Sequence, residues 1–72
     1  MNRKDYISAI CNMVSKVGLT LLGRRCKNYH SIQYDEDSQS CIVIDLDHDC
    51  HWLNRLGTKT LEDIYLDLAL DF

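Results

Sequence analysis

The stretch Tyr29–Asp49, YHSIQYDEDSQSCIVIDLDHD, carries the fold. His30, Ile32 and Tyr34 alternate with Ser31, Gln33 and Asp35. Further on, Ile42, Ile44 and Leu46 alternate with Val43, Asp45 and Asp47. Side chains on a strand point to opposite faces in turn, so each apolar set lines one face. Residues directly opposite in an antiparallel pair share a face. Pairing Tyr34 with Ile42, Ile32 with Ile44 and His30 with Leu46 puts both sets on the same side. A slip of one residue would turn one set over, so the alternation predicts this register or one two residues away. The turn then falls in residues 36–39, without the Asn-Gly or Asp-Gly of a tight hairpin, and a loop of three to five residues is expected.

Upstream, Tyr6, Ile10, Met13, Val14, Val17 and Leu21 recur at helical spacing. Asn2 is the expected N-cap, with Asp5 in the capping-box position. Gly18 either ends this helix or lies within a longer one running to Gly23, and the longer helix is preferred because Arg24 and Arg25 suit a helix C-terminus. Downstream, Asp49 is a possible cap for a short helical turn in residues 50–56, with Trp52, Leu53 and Leu56 packing inward. From Thr60, Leu61, Ile64, Tyr65, Leu68 and Phe72 follow helical spacing. Ile64, Leu66, Leu68, Leu70 and Phe72 also alternate as a strand would. Helix is preferred because Leu, Ala and Glu favour it and a capping threonine is present.

The expected fold is a small α+β domain, residues 1–72, of order α-β-β-α: a two-stranded antiparallel hairpin covered on one face by two helices. The length of 72 residues allows one domain. Folding at this size buries only about 60% of the surface the unfolded chain exposes. With 26% charged and 46% hydrophobic residues, the chain has the balance of a folded protein. Met1 agrees with a complete short reading frame. No run approaches the ~18 apolar residues of a membrane span. Ser8, Asn12, Ser15, Lys16 and Thr20 interrupt any signal-peptide core, so the expected location is the cytoplasm, with no membrane partner. There the thiols of Cys11, Cys26, Cys41 and Cys50 stay reduced.

Net charge is −3, unevenly spread. Residues 1–27 carry six basic side chains against Asp5, and residues 28–72 carry ten acids against Arg55 and Lys59. Asp35, Glu36, Asp37, Asp45, Asp47 and Asp49 are read as one acidic ridge, with Asp45 and Asp47 on the outer face of the second strand beside the Asp35–Asp37 tip. A solvated face that discourages edge-to-edge aggregation is the plain explanation. The functional one is a site for a partner protein with a basic surface. The expected function is therefore that of a small non-enzymatic regulator or inhibitor, of the kind phages and mobile elements make. The alternatives are a subunit of an obligate complex, and a nucleic-acid-binding module using Arg24, Arg25 and Lys27. Leu66 and Leu70 lie off the main stripe of the last helix, which suggests a homodimer.

Other chemistry finds little support. Cys26, His48, Cys50 and His51 include good zinc ligands, but no paired spacing is present and a fourth ligand is missing. Asp45-x-Asp47-x-Asp49 opens like a calcium loop, yet Cys50 and Leu56 stand where that loop needs Gly and Glu. Cys41 with His30 is one conceivable thiol–imidazole pair, and nothing marks it as activated. No catalytic residue, metal or cofactor is assigned.

Overall fold

The computed structural model describes residues 1–17 and 29–71. Helix α1 spans Arg3–Val17, strand β1 Tyr29–Asp35, β2 Ser40–Asp45 and β3 Cys50–Trp52. A single 3-10 turn, Leu53–Arg55, leads into helix α2, Thr58–Asp71. The α+β class holds, but the sheet has three antiparallel strands in the order β1-β2-β3, not two. The middle strand is therefore β2.

Helix α1 begins as its sequence predicts. The Asp5 amide donates to the Asn2 side chain at 2.9 Å, and the Asn2 amide donates back to the Asp5 carboxylate at 3.4 Å. This reciprocal pair satisfies amides that no helical carbonyl can reach. Ile10 and Val14 are fully buried, with Tyr6, Ile7, Cys11 and Met13 packed at the margin. The extension of α1 to Gly23, and Leu21 with it, lies outside the described residues.

Helix α2 starts two residues before the expected Thr60, with the Leu61 amide donating to the Gly57 carbonyl at 3.0 Å. Its buried stripe is Leu61, Ile64 and Leu68, which resolves the helix-or-strand ambiguity in favour of helix. The two helices meet at their first turns. Tyr6 packs on Tyr65, with ring centres 5.6 Å apart, and its hydroxyl donates to Glu62 at 3.2 Å. Burial first, and then the Glu62 carboxylate, raise the Tyr6 pKa above that of an ordinary phenol. The Arg3 guanidinium donates to the carbonyls of Asn54 and Leu56, tying the start of α1 to the 3-10 turn.

The register differs from expectation by one residue. Tyr34 faces Cys41, Ile32 faces Val43 and Asp35 faces Ser40. The turn explains the shift. Four residues, 36–39, separate the paired ends, and Gln39 takes up a left-handed φ of 54°. The Ser38 hydroxyl closes the loop onto the Asp35 carboxylate at 2.7 Å. The expected register would have left a loop of three. One residue more in the loop turns β2 over. Cys41 and Val43 therefore enter the core, at 0% and 4% exposure, while Ile42 and Ile44 go to the opposite face. An irregularity between Tyr29 and Ser31 then steps the ladder, and Tyr29 is buried in place of His30.

The core joins Tyr29, Ile32, Cys41 and Val43 of the sheet to Ile10 and Val14 of α1 and to Leu61, Ile64 and Leu68 of α2. Both helices thus cover one face of the sheet, as expected. Leu53 completes the core, and Leu56 packs beside it. Trp52 does not join them. It pairs with Ile42 on the far face and is 42% exposed, because β3 continues the sheet where a helical turn was expected.

Candidate functional site

Six acidic side chains were expected to form one ridge, and the sheet separates them into two groups. Asp35, Glu36 and Asp37 lie at the β1–β2 turn. Asp45, Asp47 and Asp49 lie at the β2–β3 turn, at the other end of β2. Five residues of strand separate these ends, about 16 Å at the usual rise. Glu36, Asp37, Asp47 and Asp49 are exposed.

Asp45 is not on the outer face. It shares the parity of Cys41 and Val43, so it stands at the rim of the helix-covered face. One of its oxygens accepts from the amides of Asp47 and Asp49, both at 2.9 Å. The other meets His51 Nε2 at 2.7 Å. The His51 contact first, and the Asp49 and Asp47 amides after it, hold the Asp45 carboxyl below the ordinary range. The turn needs such a clamp because His48 adopts a left-handed φ of 67° within it. Asp45 therefore organises the turn that displays Asp47 and Asp49. It also helps to line a cavity of about 290 Å³ beside α2, together with Tyr29, Val43, His51, Leu56 and Asp63.

Between the two acidic ends runs the sheet face that neither helix covers. Ile42 and Ile44 of the middle strand are half-buried there. Gln33 lies opposite Ile42 on one side and Trp52 opposite it on the other. Cys50 lies opposite Ile44. Next to the second turn, the rings of His30 and His48 are 4.8 Å apart. Leu46, expected in the core, is 59% exposed just beyond β2. The result is an apolar strip centred on Trp52, with carboxylates at both ends.

No protein-family model, curated protein or solved structure matches the chain.

The remaining candidates fall as follows. Arg24, Arg25, Lys27 and Cys26 lie outside the described residues. Among the described residues, no group of three or more His, Cys, Asp or Glu side chains could hold a metal ion. Cys50 and His51 point to opposite faces of β3, as alternation requires. His30 and Cys41 do not meet in a catalytic pair, since His30 is exposed and Cys41 is fully buried among the core residues. No helix of the described residues is long and apolar enough to cross a membrane. Sequence patterning missed Trp52, Ile42 and Ile44 as a common surface. The available signal was the run Cys41–Ile44, apolar at both parities, which is how a strand flanked on both sides reads.

Proposed function

We propose that this chain is a non-enzymatic protein-binding module that docks through the outer face of its sheet onto a partner with a basic rim and an apolar centre. The carrying observation is Trp52, 42% exposed and opposite Ile42, on a strip with acidic turns at both ends. Interface energy concentrates in a few anchors, and tryptophan is enriched among them. Carboxylates at the rim select a basic partner and speed its approach. Like charges gathered at Asp47 and Asp49 gain from that partner, and they stay free for it because Asp45 takes the turn-holding role. Regulation or inhibition of the partner follows from occupying its surface.

A photo-crosslinking residue at Gln33, on this strip, tests the reading against one at Asn54, outside it. Crosslinking from Gln33 to a defined protein, abolished by Trp52→Ala and weakened by Asp47→Asn with Asp49→Asn or by added salt, is the expected result. Removing a buried anchor typically costs about 2 kcal/mol or more, roughly 30-fold in affinity. Equal crosslinking from Asn54, or full retention in Trp52→Ala, would overturn it.

A second reading, pairing of two copies of the chain, is favoured by α2. Leu66 and Leu70 are one turn apart and 51% and 70% exposed. Sedimentation should then show a dimer that Leu66→Lys with Leu70→Lys converts to monomer.

A further inference from the structure

Two of the thiols meet across the core. Cys11 is on α1 and Cys41 on β2, thirty positions later in the chain. Cys41 is fully buried. Cys11 is half-buried and helps to line an open cleft of about 330 Å³, with Ile7, Ser8, Asn12, Tyr34 and Gln39. The Cys41 thiol donates to the Cys11 sulfur, and so does the Cys41 backbone amide. One sulfur is thus reachable by a small solute and the other waits directly behind it.

We propose that Cys11 and Cys41 form a dithiol that reacts with small hydroperoxides, with Cys11 as the attacking sulfur and Cys41 as the resolving one. The Cys11 thiolate attacks a peroxide oxygen and the O–O bond breaks. Cys11 becomes a sulfenic acid, and the departing hydroxide takes up the proton that Cys11 had lost, leaving as water. The Cys41 sulfur then attacks the Cys11 sulfur as its S–H proton leaves. The S–O bond breaks, the hydroxyl departs with that proton as a second water, and the disulfide forms. In total two thiols and one hydrogen peroxide give one disulfide and two waters.

The surroundings divide the roles in this order. Donation from the Cys41 thiol, with help from its amide and against the effect of burial, lowers the Cys11 pKa to about 7. Thiolate is the reactive form, so Cys11 is largely activated at neutral pH. The same hydrogen bond, with burial, pushes the Cys41 thiol up, keeping it protonated and inert until Cys11 is oxidised. The S–S bond, about 2.0 Å long, is shorter than any thiol hydrogen bond, so oxidation draws α1 towards the middle strand and tightens the floor of the cleft.

The test treats the reduced full-length chain with one equivalent of hydrogen peroxide at neutral pH, blocks the remaining thiols and maps the peptides. The expected result is a mass lower by two hydrogens, with Cys11 joined to Cys41 in most molecules. Cys11→Ser should abolish the linkage, and Cys41→Ala should stop at a sulfenic acid on Cys11 that dimedone traps. Alkylation of Cys11 in the parent should show a midpoint near pH 7, below that of a free thiol. The proposal is overturned if the linkages run mainly through Cys26 or Cys50. It is equally overturned if the parent retains Cys11 as thiol or sulfenic acid. These outcomes are read from the parent chain, so they stand even if Cys41→Ala fails to fold.

Discussion

Replacing Val43, Ile42 and Ile44 by threonine, one at a time, tests the register on which the outer face depends. Threonine keeps the branched shape and is a good strand residue, so local propensity changes little. Val43 is 4% exposed against the core, and its replacement buries a hydroxyl. Without a partner such a group costs about 1–3 kcal/mol in proteins. A chain of this length has roughly 4–11 kcal/mol of stability in total on the usual per-residue scale. At a urea dependence of about 1 kcal/mol/M, the midpoint for Val43→Thr should fall by about 1–3 M. Ile42 and Ile44 are half-buried on the opposite face, where water reaches the new hydroxyl. Two fully buried methylenes would cost about 1.6 kcal/mol, and half-burial reduces that to about 0.8 kcal/mol. Equilibrium urea unfolding, followed by circular dichroism, measures all three. If Ile42→Thr or Ile44→Thr costs as much as Val43→Thr, the isoleucines are in the core and the strip around Trp52 does not exist.

Three further outcomes follow from the contacts. Asn2→Ala removes the reciprocal cap of α1 and should lower stability by about 1 kcal/mol, visible as a lower melting temperature. Tyr6→Phe should lose the bond to Glu62, a cost of about 0.5–1.5 kcal/mol in urea unfolding. Asp45 is held below the ordinary carboxyl range by His51 and the turn amides. Its contribution is therefore fully present above the unfolded value, about 3.9, and is lost as pH falls through the lower folded value. Urea midpoints measured across that acid range should change less with pH in Asp45→Asn than in the parent.

Much of the architecture was legible because long patterns report it. The helical spacing from Tyr6 to Val14, and from Leu61 to Leu68, each buried a stripe. Asn2 and Asp5 marked a start that the hydrogen bonds bear out. The loop at residues 36–39 was legible because polar residues separate two alternating runs. The register was not, because Cys41, Ile42, Val43 and Ile44 are apolar at every position. Alternation cannot choose a face in such a run, and the larger isoleucines favoured the wrong one. Strand β3 has three residues, too few to show a period, and it enters the sheet through a turn whose clamp joins Asp45 to His51. The acidic ridge failed for the same reason, since its continuity assumed that Asp45 faced outward. The meeting of Cys11 with Cys41 depends on how α1 crosses the sheet, which no local spacing encodes.

The link from Arg3 to the carbonyls of Asn54 and Leu56 has a consequence for the newborn chain. The first helix is made early, but its anchor is made more than fifty residues later. Translation at about 5–20 residues per second leaves α1 complete for roughly 2–8 s before Leu56 is even polymerised. Throughout that interval Ile10 and Val14 have no α2 to cover them. The domain therefore folds after synthesis is nearly finished, by joining its two ends, which places it among slow, high-contact-order folders for its size. Until then the nascent helix presents an apolar stripe that a chaperone at the ribosome exit would recognise.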